Sequence, residues 1–353
     1  MRLFFAPYTL HFRFPAGTSR GVLYHKKTYF LKYFDERQPE KAGYGEAALF
    51  EGLSPEEGPG YERKLSELSR NIREGKPTDI KEYSSIIFGL EQAMADFSNG
   101  GKGIYFPSPF IDGKDSIQIN GLIWMGSKDK MAERINEKIR EGYRCIKIKI
   151  GAIDWAEELY LLSLVRELTH GKDIDLRVDA NGAFTAENCM DRLRDLAPFY
   201  LHSIEQPVKA GQWDLMKEIC RVSPVPIALD EELIGIGTDE KRRDLLNYVK
   251  PQFIVLKPAL CFGFSGASSW ISLAEELGIG WWITSALESS VGLDAIAQYT
   301  ALQPLTQAQG LGTGGLFTNN FSSPLILTGD RLRMKKSTDI FQPELEQLEW
   351  RES

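Results

Sequence analysis

The chain is poor in the residues that usually announce a protein's chemistry. Four cysteines, Cys145, Cys189, Cys220 and Cys261, are spread over 353 residues with no CxxC pair. That excludes a zinc ribbon and a disulfide framework, and it fits a reducing cytoplasm as the expected location. Histidine is equally scarce: His11, His25, His170 and His202 stand alone, and none is read as a catalyst. No run of about 18 apolar residues occurs, so no membrane partner is expected. Residues 1–14 alternate apolar and polar positions, lack the continuous apolar core of a signal peptide, and read as a strand. Positive charge is in deficit, with a formal net charge of −7 and a pI near 5.4, which leaves no basic footprint for nucleic acid. No GxGxxG follows the first strand of the strand–helix repeat described below, which argues against an open dinucleotide-binding sheet.

What is present divides into two textures. Alternating apolar positions mark strands at 1–14, 26–33 and 43–50, read as a three-stranded antiparallel sheet. An amphipathic helix over 61–74 follows, then one over 80–99 with Ile86, Ile87, Leu90, Ala93, Met94 and Phe97 at helical spacing. Gly100, Gly101 and Gly103 end it, and 104–116 reads as a linker. Beyond that, short apolar strands at 119–124, 145–150, 175–180, 200–205, 226–231, 253–257 and 280–285 alternate with amphipathic helices. Their starts lie roughly 25–30 residues apart, the length of a strand, a helix and two short loops. Seven such units and a final strand at 309–311 favour an α/β parallel barrel, with the tail from 324 returning to the first domain.

In strand geometry Lys147 and Lys149 share one face, while Ile146, Ile148 and Ile150 share the other. Two ammonium groups directed into a barrel need carboxylates, because unpaired charge is not tolerated in an apolar interior. The following strands supply them: Asp179 beside Arg177, then Glu205, then Asp230, and finally Lys257. Active-site residues of parallel barrels project from these C-terminal strand ends. Asp179, Glu205 and Asp230 can converge on one point, and an all-oxygen set without His or Cys suits Mg²⁺. Lys149 and Lys257 then face each other across a bound small-molecule carboxylate. Lys147, by its charge, would make Lys149 a better base. The combination suits removal of a proton α to a carboxylate, with the metal stabilising the enediolate.

The Lys-x-Lys strand, together with Asp-x-Asn at 179–181, Glu-Gln-Pro at 205–207, Asp-Glu at 230–231 and Lys-Pro at 257–258, resembles the enolase superfamily in its muconate-lactonizing-enzyme-like subgroup. Lysine bases working with Mg²⁺ are that superfamily's known chemistry. The resemblance implies a modified TIM barrel, (β/α)₇β, over 116–323, with an α+β capping domain formed by 1–115 and the tail 324–353. Within the subgroup the chain is similar to the o-succinylbenzoate synthase family. Its 285–292 segment resembles theirs, and the Asp-x-Asp of dipeptide epimerases is absent where Gly310, Gly312, Gly314 and Gly315 stand.

The implied reaction is dehydration of 2-succinyl-6-hydroxy-2,4-cyclohexadiene-1-carboxylate to o-succinylbenzoate in menaquinone synthesis. Lys149 would remove the proton and return it to the leaving hydroxyl, and Lys257 would stabilise the enediolate. Gly312 and Gly314 would meet the substrate. Ser285, Ser289 and Ser290 would either bind substrate or cap the helix near Gly292, and Arg177 would either touch substrate or make a structural ion pair. The rival is a racemase or epimerase of N-acylated amino acids or dipeptides, with both lysines as bases. A non-catalytic protein on a decayed barrel is opposed by the presence of every expected catalytic position. Segment 17–22 reads as a hairpin tip or as the loop that closes the barrel mouth.

Overall fold

The structure, a computed structural model, describes residues 1–18, 21–38, 40–170, 172–335 and 342–352. It opens with β1 (Arg2–Thr18), β2 (Gly21–Phe34) and β3 (Ala42–Ala47), antiparallel in the order β1-β2-β3. Period-two alternation gives this sheet two apolar faces. Leu3, Phe5, Tyr29 and Leu31 meet Leu65 and Leu68 of α1 (Tyr61–Glu74) and Ile86 and Ala93 of α2 (Ser84–Ser98). Leu10, Phe30 and Tyr44 join the larger core that also fills the second domain. At Gly45 a Cβ would lie 2.1 Å from the Gly89 carbonyl oxygen, so β3 and α2 meet backbone to backbone. Of segment 17–22, Gly17 and Thr18 pair with Val22 and Gly21 in the hairpin, while Ser19 and Arg20 lie outside the described residues.

The barrel follows: β4 (Ile117–Gln118), β5 (Gly121–Ile123), α3 (Lys128–Arg140), β6 (Cys145–Lys149), α4 (Trp155–Leu168), β7 (Asp175–Asp179), α5 (Cys189–Leu196) and β8 (Ser203–Glu205). Then come α6 (Trp213–Val222), β9 (Ile227–Leu229), α7 (Asp239–Val249), β10 (Phe253–Leu256), α8 (Gly263–Leu277), β11 (Gly280–Ile283) and α9 (Ser290–Thr300). Strands β5 to β11 form one parallel sheet in chain order. Gln309 and Gly310 close the ring with parallel bridges to Ile119 and Thr284. The anchoring hydrogen bonds are Asn120 N to Gln309 O at 2.9 Å and Gly310 N to Ile283 O at 2.8 Å. Only glycine fits at 310, because a Cβ there would lie 2.2 Å from Thr284 Oγ1.

Several strands are shorter than alternation suggests. Tyr200 takes a left-handed conformation, φ 49°, and postpones β8 to Ser203. Asp230 leaves the extended region, at φ −124° and ψ −81°, and starts a turn over Glu231–Leu233. Outward residues such as Ile146, Ile148, Val178, Ile204 and Ile254 are buried under the helices. Inward, Ala228, Val255 and Trp282 pack together, with Phe253 against them, one layer below the charged strand ends.

The tail divides. β12 (Leu325–Thr328) and β13 (Arg331–Met334) form a hairpin against β4, at the start of the barrel. Among the described residues of the tail, the last stretch, after α10 (Gln342–Leu345), returns to the first sheet, where Phe5 and Arg351 bridge. Among the described residues no helix is long and apolar enough to cross a membrane.

Candidate active site

The β6–β7–β8 register sets the site. Lys149 stands opposite Asp179, and Asp179 opposite Glu205, on neighbouring strands. The Lys147 ammonium reaches Glu205 Oε2 at 2.6 Å and Asp179 Oδ2 at 3.0 Å. Lys149 donates to Asp179 Oδ2 at 2.9 Å and to Asn181 Oδ1 at 2.6 Å. On the far side of the three carboxylate strands, Lys257 donates to Asp230 Oδ2. All of these side chains are largely buried.

Electrostatics follows from that crowding. Burial works against the Lys147 charge, but Asp179 and Glu205 outweigh it and hold the ammonium well above its ordinary pKa. Lys257 is likewise raised: burial opposes its charge, and Asp230, Glu231 and Glu205 overcome it. Asp179 is pulled below the usual carboxylate range, because Lys147 and Lys149 overcome the penalty of burial. Glu205 is pushed up to about 8 by burial and by the negative charge of Asp179, against the opposing pull of Lys147.

Among the described residues no ready three-donor metal cage is formed; ammonium groups stand against the carboxylates instead. The donor chemistry nevertheless suits a hard divalent cation. Three buried carboxylates, Asp179, Glu205 and Asp230, arise from consecutive strand ends. Asp230 is steadied from behind, since its N–H and that of Glu232 donate to Gln206 Oε1 at 3.1 and 3.3 Å. Gln206 donates back to Glu232 Oε2 at 3.2 Å.

A cavity of about 710 Å³, including its open mouth, adjoins this cluster. Lys147, Lys149, Asp179, Glu205, Asn181 and Lys257 line one end; Asp230 sits behind, bonded to Lys257. Leu122 of β5 and Trp124 just past its end, Ala286 and Leu287 of the turn after β11, and Phe50 and Leu53 of the capping domain make the walls. Ser285 and Gly312 line it as well.

Three residues read as candidate substrate contacts stand elsewhere. Arg177 is buried in the barrel's lower layer, its guanidinium 4.1 Å from the Trp282 ring centre and bonded to Ala308 O at 2.9 Å and Gln307 Oε1 at 3.0 Å. It sits two residues before Asp179, one layer too deep to reach the cavity. Ser289 caps α9, accepting from Val291 N at 3.2 Å, and donates to Glu46 Oε2 at 2.6 Å. Gly314 lies past the cavity lining, near Leu293. The sequence reading noted Asn181 only within the Asp-x-Asn motif, and it passed over Asn120, Thr313 and the walls. Period-two alternation could have found Asn120 with Leu122 and Trp124, but no local signal links Phe50 to a barrel mouth.

Residues 130–326 match the family model described as enolase C-terminal domain-like. The chain is 45% identical to o-succinylbenzoate synthase of Desulfotalea psychrophila (strain LSv54 / DSM 12343), the match covering 94% of this chain and 98% of that one. The crystal structure of MenC from Desulfotalea psychrophila LSv54 superposes with a TM-score of 0.84 at 40% identity, covering 95% of this chain and 99% of that one. A dipeptide epimerase from Enterococcus faecalis V583, complexed with Mg and L-Leu-L-Tyr, shares the fold, with a TM-score of 0.78 at 18% identity, covering 96% of this chain and 98% of that one. The match over the catalytic half of the chain and the near full-length relationship place this chain in the enolase C-terminal domain-like family of the enolase superfamily.

Proposed function

We propose that this chain is a Mg²⁺-dependent lyase that converts 2-succinyl-6-hydroxy-2,4-cyclohexadiene-1-carboxylate to o-succinylbenzoate. The observation that carries the reading is one cavity flanked by Lys149 and Lys257, with carboxylates from three intervening strand ends between them. The near full-length similarity to the Desulfotalea synthase supports the substrate.

Asp179, Glu205 and Asp230 would hold the metal, which when bound supplies positive charge to the substrate carboxylate. Lys149 Nζ takes the proton from the ring carbon that bears this carboxylate. The electron pair released forms a new ring double bond as the neighbouring C–O bond breaks. The ammonium of Lys149 returns its proton to the departing hydroxyl, so water leaves and the ring becomes aromatic. One group serves as base and acid because both events occur on the same face. Lys257, held charged beside Asp230, stabilises negative charge from the opposite face. Lys147, bonded to two carboxylates, is a fixed positive charge that orients them.

Lys149→Ala should lower turnover by at least about 10²–10⁴-fold, the usual contribution of an acid–base group, while Mg²⁺ binding by calorimetry persists. Formation of the aromatic product is followed by ultraviolet absorbance. Full activity in the variant sinks the assignment. Exchange of an α-proton with solvent deuterium in both isomers of an N-acylated amino acid, without dehydration of the cyclohexadiene, would favour the racemase reading.

A further inference from the structure

The connection that leaves β6 is held by a carboxylate with no part in the chemistry above. Glu158, in the first turn of α4 and 2% exposed, points back along the chain. Its Oε1 accepts from Gly151 N at 2.7 Å, Ala152 N at 3.1 Å and Ile153 N at 3.3 Å. Three successive N–H groups that converge on one point make an anion-binding concavity, and here the chain fills it with its own carboxylate. The helix does not need Glu158 as a cap. Asp154 serves that end, accepting from Ala156 N at 2.9 Å and Glu157 N at 3.4 Å. Glu158 therefore fastens the connection to α4, which is itself seated in the core by Leu161, Leu162 and Val165.

This connection begins two residues past Lys149. Ile150 N donates to Asp179 O at 2.9 Å. Gly151, at φ 92°, then turns the chain against the β7–α5 connection, so closely that a Cβ on it would lie 2.4 Å from Ala183 Cβ. The same β7–α5 connection carries Asn181, and with Asp179 at the end of β7 it supplies the acceptors of the Lys149 ammonium. A lysine ammonium rides on a flexible four-carbon stem, so its position is set by the backbone beneath it and the acceptors at its tip. Fastening 151–153 fixes the first relative to the second.

We propose that Glu158 is a positioning residue: by tying Gly151, Ala152 and Ile153 to α4 it holds the end of β6 against the Asp179-to-Asn181 stretch and so, on the functional reading given above, sets the reach of Lys149 Nζ toward the substrate proton.

The test is a single turnover of the cyclohexadiene by the full chain with Mg²⁺, at enzyme concentrations that saturate the substrate, where the rate does not depend on the fraction of chains folded. Glu158→Ala should slow aromatisation about 10- to 100-fold, the cost of misplacing a reacting group by up to about 1 Å. Affinities for o-succinylbenzoate and for Mg²⁺ by calorimetry should change less than about threefold, because no group assigned to binding either is removed. Glu158→Gln keeps an acceptor oxygen and should hold the rate within about threefold of wild type. Thr169→Val, at the far end of α4, removes a buried hydrogen bond to Val165 O at 2.7 Å and should lower stability without slowing the turnover. An unchanged rate in Glu158→Ala, an equally low rate in Glu158→Gln, or equal slowing by Thr169→Val overturns the positioning role. Should Glu158→Ala not fold, Glu158→Asp, whose carboxylate is one methylene short of the three N–H groups, takes its place with the same expectations. Absence of dehydration by the wild-type chain would strike the functional reading instead, and the same comparison would then be made on solvent exchange of the α-proton of an N-acylated amino acid, which also requires Lys149 as a base.

Discussion

Arg177→Met separates structure from catalysis at a position the sequence leaves open. The guanidinium donates two buried hydrogen bonds, to Ala308 O and Gln307 Oε1, and lies 4.1 Å from the Trp282 ring centre. Hydrogen bonds from a charged donor contribute about 1.5–3 kcal/mol each, and a desolvated cation–π contact about 2. Against these stands a desolvation penalty of several kcal/mol for burying the charge, which methionine removes. The net loss is about 2–4 kcal/mol, which lowers the thermal midpoint by roughly 5 °C in a chain of this size. His202 provides an independent readout. Its pKa is lowered to about 4 by burial and by the Arg177 charge, so imidazole titration followed by NMR should move upward in the variant. Because Arg177 lies below the cavity lining, kcat/KM should stay within about threefold of wild type once the protein is folded. A tenfold rise in KM with an unchanged thermal midpoint and an unmoved His202 would refute the structural role.

Three further outcomes follow from the geometry. Glu46→Gln should cost about 2–3 kcal/mol in denaturant unfolding, because the buried Glu46 carboxylate accepts from Ser289 N, Ser289 Oγ and Gly292 N at the start of α9; unchanged stability would show that this link between capping domain and barrel is dispensable. Gly310→Ala should destabilise by about 1–3 kcal/mol, since its Cβ would lie 2.2 Å from Thr284 Oγ1 at the barrel closure; Thr284→Ala in the same chain should recover part of the loss, and no recovery would count against that clash. His202 is neutral in the folded chain down to about pH 4 but titrates near 6.5 when unfolded, so the unfolded state binds the extra proton between those values and stability falls as pH drops through that window. The wild type should lose about 2 kcal/mol more than His202→Gln between pH 6.5 and 4, allowing for partial solvent screening; parallel stability curves for the two proteins would contradict this.

Legibility varied with the range of the interactions. Alternation in β6 and β7 predicts which side chains enter the barrel, and the structure directs Lys147, Lys149 and Asp179 inward. It says less about height along a strand. Arg177 and Asp179 share a face, yet one packs on Trp282 and the other borders the cavity. Ser289 carried two readings, and the arrival of Glu46 from β3 makes it a cap. The tail's division between β4 and β1 had no local mark, because a short strand pairs with whichever edge the fold leaves open.

The sequence by itself determined the order Lys, carboxylate, carboxylate, carboxylate, Lys along successive strands, and with it the barrel's polar interior, because period-two geometry leaves an inward charge no other destination. Only the tertiary structure decided which polar groups are satisfied, and by which partners. Satisfaction depends on partners far away in the chain: Glu46 reaches Ser289 across the domain boundary, while Gln309 meets Asn120 at a seam that exists only once the barrel closes.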